Sequence, residues 1–355
     1  MEIIYWLYRI LKEEILDVPG RVIASIFVIA LLVVPLISTN SYLLRILTLA
    51  AIFAIFAVSW DLLCGVVGQM NFGQGAFFGL AGYASGLLNI HLSLPPYLSI
   101  PVGSVVGVFM GLLIGLPALR LRGFYLALVT LAFPVILTGI IFLIPNITGG
   151  ELGIYGLKRI SDSEISVYYI VNFIMLISVY IMYKLTDVES KMVRSGVIFN
   201  AIREDEITAR ASGINTTKYK LIAFAASGFF AGIAGGLYSH YLRAVGPSTL
   251  ELMFSLNPIL WTIFGGLSTI FGAVAGVYVL YPLVEFLGMN NIGDNIRYLI
   301  LAAILIFTLL YMPEGITVWI RDKLEITCQR CKVNNSSWRK ECRACNAELH
   351  LKKDK

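Results

Sequence analysis

The chain has 355 residues, of which 58% are hydrophobic and 14% charged. Soluble domains carry about 25% charged residues, so a soluble globular protein is excluded. The formal net charge is +5, yet residues 1–320 hold 17 basic and 17 acidic side chains while residues 321–355 hold 10 basic and 5 acidic. A basic excess confined to a short tail is not a nucleic-acid-binding face. The chain reads as an all-α polytopic membrane protein with a separate basic appendix.

Residues 1–17 mix Glu2, Arg9, Lys12, Glu13, Glu14 and Asp17 with apolar residues and lack the basic-then-apolar order of a cleavable signal. Ile3, Trp6, Leu7 and Ile10 recur at helical spacing, which predicts an interfacial helix over 1–20 ended by Pro19-Gly20. A spanning helix needs about 20 largely apolar residues, because lipid offers the backbone no hydrogen-bond partners. About ten such spans are predicted in a transmembrane domain over 21–320, near 22–38, 42–65, 70–90, 97–118, 123–144, 165–185, 220–241, 253–268, 270–288 and 297–313. The stretch 253–288 is too long for one span and short for two, and Asn257-Pro258 and Gly265-Gly266 interrupt it. Half-helices or a re-entrant pair fit there equally well.

Cytoplasmic loops retain Lys and Arg. The loop 184–220 carries Lys184, Lys191, Arg194, Arg203, Arg210, Lys218 and Lys220, Arg120 and Arg122 flank another turn, and the tail is basic. An even span count puts all three on one side, with both termini cytoplasmic in a multi-pass cell-membrane protein. The loop 145–164, with Lys158 and Arg159 against Glu151, Asp162 and Glu164, is expected outside. Glycines recur every four residues, at Gly103, Gly107, Gly111 and Gly115 and in the pairs Gly75/Gly79, Gly82/Gly86, Gly228/Gly232 and Gly272/Gly276. Such stripes let helix backbones approach closely.

Residues 201–213 (AIREDEITARASG) predict one short amphipathic helix on the membrane surface. Asn200 can cap it, Glu204, Asp205 and Glu206 suit the positive end of its dipole, Glu206 and Arg210 form an i,i+4 pair, and Gly213 can end it. Residues 65–83 are apolar but interrupted by Gln69, Asn71, Gln74 and six glycines. A broken helix of this kind lets backbone and amide groups face a cavity. Asn71 and Gln74 are therefore candidate lining residues of a translocation path, with Tyr125 and Thr130 from the following RLRGFY segment; hydrogen bonding within a packed bundle is the alternative. Arg45, Asp61 and Glu285 are the charges nearest membrane depth, each expected at an interface, and His240 is expected to be a packing residue.

In the tail 321–355, Cys328 and Cys331 form one CxxC knuckle and Cys342 and Cys345 a second, ten residues on. Two such turns can close a tetrahedral thiolate cage, and a segment this small needs a staple to fold. It resembles a zinc ribbon with structural zinc and no open coordination position; iron and disulfides are the alternatives. Cys64 stands alone in an apolar run.

Five stretches carry a wider resemblance. They are 65–83 (GVVGQMNFGQGAFFGLAGY), 119–132 (LRLRGFYLALVTLA), 146–150 (NITGG), 201–215, and FGGLS at 264–268 with FGAVAG at 271–276. In this order they resemble the LivM-type permease subunits of branched-chain amino-acid ABC importers over most of residues 40–312. The resemblance implies that 201–213 is the coupling helix docking into an ATPase, with Glu206, Ala209 and Gly213 at its motif positions and Thr208 standing where the family usually has alanine. It further implies a second homologous permease, two ATP-binding subunits at the cytoplasmic face and an extracytoplasmic substrate-binding protein. No GxxxxGK phosphate loop occurs in the chain, so this subunit is expected to bind no nucleotide and to be no enzyme, ATP being hydrolysed by partners. A stand-alone secondary transporter would need ionisable groups deep in the spans, and a membrane enzyme would need clustered ones. The same family also includes carriers of urea and short amides, which are the alternative substrates.

Overall fold

The computed structural model describes residues 19–349 apart from residues 39, 119, 120, 122, 189–193, 290–292, 332, 333, 343, 344 and 346. The interfacial helix expected over 1–20 lies outside the described residues except for its last two, and so do Arg120, Arg122 and Lys191.

Apolar runs become helices in chain order. The first is α1 (Pro19–Ile37), followed by α2 (Ser41–Asp61), which a π turn at Leu62–Val66 prolongs. Then come α3 (Gln74–His91), α4 (Pro96–Ala118), α5 (Phe124–Leu143) and a single turn, α6 (Pro145–Thr148). After strand β1 (Ile154–Tyr155) follow α7 (Glu164–Thr186), α8 (Ser195–Glu204), α9 (Glu206–Ala211) and α10 (Thr216–Leu242). Strand β2 (Ala244–Val245) precedes α11 (Leu252–Gly265), α12 (Ile270–Met289), α13 (Asp294–Tyr311) and α14 (Ile316–Leu324), and the chain closes on strands β3 (Glu325–Thr327) and β4 (Asn334–Ser336).

Among the described residues, seven segments are long and apolar enough to cross a membrane: Ser41–Val66, Pro96–Pro117, Phe124–Leu143, Glu164–Thr186, Thr216–Leu242, Ile270–Met289 and Leu299–Leu324. The other three predicted spans correspond to α1, α3 and α11. Residues Val22–Ile37 of α1 and the 14 residues of α11 are short for a bilayer. Helix α3 is polar for a span, with Gln74, Asn89 and several glycines, but most of its residues are enclosed by other helices, so it needs no lipid-compatible surface. The interrupted stretch 253–288 resolves into the short α11 and a full-length α12, joined by residues 266–269.

Helix α2 is apolar on every face and sits at the centre, with Ala50–Val58 almost wholly buried. Beside it α3, α4 and α10 pack by their small residues. A Cβ on Gly107 of α4 would overlap the Gly228 carbonyl of α10, and one on Gly228 would overlap the Gly107 carbonyl. The two backbones touch, as the four-residue ladders imply.

The elements separate to two ends. Strands β1 and β2 pair antiparallel, with Ile154 opposite Val245, at the end where α10 finishes. At the other end lie α8 and α9, the 266–269 turn and the tail. Arg203 of α8 donates to Ser268, the Thr317 hydroxyl to the Gly265 carbonyl, and the Gly20 N–H to the Glu325 carboxylate. The loop 184–220 and the tail therefore share one end, and the 145–164 loop occupies the opposite one.

The Gly107 contact can be tested with one methyl group. Gly107→Ala is expected to destabilise the bundle by about 1–3 kcal/mol, since overpacked backbone must move apart. Gly139→Ala, where a Cβ meets nothing within 4 Å, is expected to stay within about 0.5 kcal/mol of the parent; thermal unfolding in detergent reads both.

Candidate functional site

The segment 195–213 is two helices, which corrects the single helix expected over 201–213. Asp205 is extended (φ −153°, ψ 108°) and separates α8 from α9. Its Oδ1 accepts the N–H groups of Ile207 at 2.8 Å and Thr208 at 3.3 Å, and its Oδ2 accepts the Thr208 hydroxyl at 2.6 Å. A short carboxylate that captures backbone N–H groups competes with helix continuation, so the cap falls at Asp205 and Asn200 lies inside α8. Gly213 (φ +85°) ends α9, with its N–H on the Arg210 carbonyl and the Ile214 N–H on the Ala209 carbonyl. Only glycine adopts that backbone without strain.

Glu206 turns inward. Its carboxylate receives the Lys220 ammonium at 2.7 Å and the Arg210 guanidinium at 2.8 Å, with the Thr216 hydroxyl at 3.4 Å. The Lys220 side chain is only 3% exposed, so this ion pair bolts α9 to α10 near its start. Ala209 is buried beneath α9. What α9 presents outward is Ile207, 65% exposed, between Glu206 and Thr208. The sequence alone does not single out Ile207, because Ile202 in the same segment is equally apolar, and it is the structure that buries Ile202 at 3% exposure.

Asn71, Gln74 and Thr130 are fully buried. The Asn71 amide donates to Gln74 Oε1 at 2.8 Å, and Gln74 Nε2 donates to Ser59 Oγ at 2.9 Å and Ser227 Oγ at 3.1 Å. The Ser227 hydroxyl donates in turn to the Ser59 carbonyl at 2.8 Å. In the break between α2 and α3, the Phe72 N–H donates to Thr130 Oγ1, the Gly73 N–H to Asn71 Oδ1, and the Trp60 indole to the Asn71 carbonyl at 2.6 Å. The broken segment thus satisfies these backbone groups with side chains from α2, from α5 and from Asn71 itself, while Ser227 of α10 binds the Gln74 amide. Tyr125 is not brought to this network; it is 71% exposed near the start of α5.

The opposite end holds a cleft of about 490 Å³ between the starts of α2 and α7 and the end of α10. Its lining includes Tyr42, Arg45, Arg159, Glu164, Tyr241 and Arg243. His240 closes its floor. The ring is fully buried, with Nδ1 2.8 Å from the Lys158 carbonyl and Nε2 2.8 Å from Ser99 Oγ and 3.0 Å from Ser85 Oγ. Nδ1 donates to that carbonyl, and the two serine hydroxyls flank Nε2, so the ring is held on both sides as a packed residue.

Among the described residues, one group of cysteines can hold a metal ion: the thiols of Cys328, Cys331, Cys342 and Cys345 lie within 4.8 Å of one another. Cys328 and Cys345 sulfurs are 3.6 Å apart, Cys331 and Cys342 sulfurs 3.4 Å, and no disulfide links them. Four sulfurs around a tetrahedral metal at about 2.3 Å are separated by about 3.8 Å, so the donor set fits. The Cys331 N–H lowers the Cys328 thiol below its ordinary pKa, and the Asn335 amide donates to Cys342 Sγ at 3.5 Å. Backbone and amide donors of this kind favour thiolates and hold metal ligands in place.

A family model described as "Branched-chain amino acid transport system / permease component" matches residues 42–309. Similar proteins include the high-affinity branched-chain amino acid transport system permease protein LivM of Salmonella typhimurium, 27% identical over 342 residues, which cover 87% of this chain and 78% of the relative. The LivM protein of Escherichia coli is 26% identical, covering 85% and 77%. A probable LivH permease protein of Methanocaldococcus jannaschii is 29% identical, covering 70% and 82%. No solved structure matches. With three quarters of its length inside the family model, from the start of α2 to the end of α13, the chain belongs to the family of permease components of branched-chain amino-acid transport systems.

Proposed function

We propose that this chain is the permease subunit of an ATP-driven importer of branched-chain amino acids, and that α8 and α9 dock a separate ATP-binding subunit. The observation that carries the docking reading is the Glu206–Lys220 bolt beneath an exposed Ile207. A helix that presents an apolar knob to a soluble partner, and is ion-paired to a spanning helix behind it, is a lever. The basic residues of the 184–220 loop and of the tail favour a cytoplasmic position for this end, where the nucleotide is. The opposite end, with its arginine-lined cleft, then faces outward and receives solute from an extracytoplasmic binding protein. Relatives named LivM and LivH favour pairing with a second, homologous permease, and a pair of ATP-binding subunits completes the assembly.

Within the bundle, Asn71, Gln74 and Thr130 form a polar lock on the translocation path, which opens when α3 and α10 together move against α2. Tyr125 stands apart from it. A weakly polar interior suits an importer whose binding protein, and not its pore, selects the solute. In the tail the four cysteines hold zinc structurally. Four thiolates saturate a tetrahedral ion, and what the metal supplies is folding free energy for a segment with little core.

Three outcomes test these readings. Glu206→Arg places a second cation against buried Lys220 and frees α9; uptake in proteoliposomes containing the complete assembly is expected to fall at least about tenfold, and wild-type uptake would refute the role. Ile207→Asp leaves the ion pair intact and is expected to weaken retention of the ATP-binding subunit by about 10- to 30-fold, as loss of a buried anchor does; unchanged copurification would remove Ile207 from the interface. Elemental analysis of the purified protein is expected to find one zinc per chain, lost in Cys342→Ser together with the tail's protease resistance while the bundle's unfolding temperature holds. Absence of any stoichiometric metal in the parent protein would dismiss the site.

A further inference from the structure

Three irregularities of the backbone and its burial meet at one point beneath α8. Helix α2 ends in a π turn, Leu62–Val66, a feature that concentrates at functional sites. Ser268, in the turn between α11 and α12, has φ +62°, a conformation non-glycine residues avoid. Asp61 is wholly buried, and among the described residues its Oδ2 has no hydrogen-bond partner. Its Oδ1 accepts the Ser268 N–H at 2.8 Å, the Ser268 hydroxyl donates to the Gly65 carbonyl at 2.9 Å, and Arg203 of α8 donates to that same hydroxyl oxygen. Asp61, expected at an interface, lies at the α8 end of the bundle and is covered there by protein, including Ser268 of the turn between α11 and α12. Glycines shape the clamp. A Cβ on Gly65 would strike Asp61 and the Ser268 nitrogen, and Gly68 (φ +74°) lies against the Arg203 stem.

A buried carboxylate oxygen without a partner is costly. The guanidinium whose charge acts on Asp61 is Arg203, held on the far side of Ser268. Arg203 is exposed on α8, so its head is able to move, whereas Asp61 is not.

We propose that Arg203 is the positioning residue that passes movement of the α8–α9 segment to α2, by exchanging its hydrogen bond to Ser268 for an ion pair with the unpartnered oxygen of Asp61. The two arrangements give the lever two discrete seats, which transmission through a packed structure requires. In the first, Ser268 holds the turn between α11 and α12 against the π turn. In the second, the arginine binds the end of α2 directly and Ser268 is released from it. This inference rests on the reading of α8 and α9 as the docking segment, and the test separates the two.

The test uses the complete assembly in proteoliposomes, with Arg203→Gln, Asp61→Asn, the double variant and Arg203→Lys, and reads solute imported per ATP hydrolysed beside retention of the ATP-binding subunit. Each neutralising single variant is expected to lower the ratio about tenfold with the subunit retained. The double is expected to be no worse than the more impaired single, because both remove one interaction, and Arg203→Lys to restore most of the ratio. An unchanged ratio in both singles, or additive losses in the double, would overturn the proposal. So would release of the ATP-binding subunit by Arg203→Gln, which would make Arg203 a docking contact. If Asp61→Asn fails to fold, the exposed Arg203 pair decides alone: loss in Gln with recovery in Lys supports the exchange, and equal behaviour of the two opposes it. Failure of the wild-type chain to retain the subunit would instead refute the docking reading.

Discussion

Everything in this bundle is constrained by the absence of water around its backbone. A helix satisfies its own N–H and C=O groups, and any departure from helix inside the membrane must find side-chain partners. The chain departs from helix between α2 and α3, at 67–73, and between α11 and α12, at 266–269. Each departure is met by side chains from distant elements together with one of its own. Thr130, Asn71 and Trp60 close the first, and Asp61, Thr269 and Thr317 close the second, Thr269 donating to the Gly266 carbonyl and Thr317 to the Gly265 carbonyl. Buried Gln69 and Asn71 lie within the first departure and buried Gln74 at its edge.

Close backbone packing is the second consequence. With lipid as apolar as the side chains, helices gain little by burying leucine and more by approaching tightly. The small residues of α3, α4 and α10 permit that approach, and Gly107 and Gly228 press carbonyl against Cα. A trio packed this closely moves as one body, so relative motion is directed to its boundaries with α2 and with the α11–α12 pair. Both the Asn71–Gln74–Ser59 network and the Asp61 clamp lie on those boundaries.

The apolar runs, the glycine ladders and the paired CxxC knuckles were legible in the sequence because each is a local pattern whose physical cause is also local. Span length follows from bilayer thickness, a four-residue stripe from helical pitch, and a thiol cage from the geometry of a turn. What was not legible depends on residues far apart in the chain. Asp61 and Ser268 are 207 positions apart, and nothing near either tells whether the carboxylate meets headgroups or a buried N–H. Glu206 was recognisable as a charge beside Arg210, but its inward turn depends on Lys220, 14 residues on and one helix away. The break at Asp205 was missed for a different reason. Its acidic neighbours favour the start of a helix as much as its first turn, and only the side chain's capture of two N–H groups decides between them.

A single turn of α2 joins the two sites. Ser59, Trp60 and Asp61 are consecutive. Ser59 receives Gln74 on its hydroxyl and Ser227 on its carbonyl, Trp60 donates to the Asn71 carbonyl, and Asp61 holds the Ser268 N–H. Displacement at the clamp cannot leave the network on the preceding two residues unchanged, because helical residues are fixed to one another by backbone hydrogen bonds and the polar groups around them have no water to turn to. The Gln74 network and the Asp61 clamp are thus separated by only two residues of α2. The π turn that follows, with its wider hydrogen-bond spacing, is the place where this turn can shift without unwinding the rest of the helix.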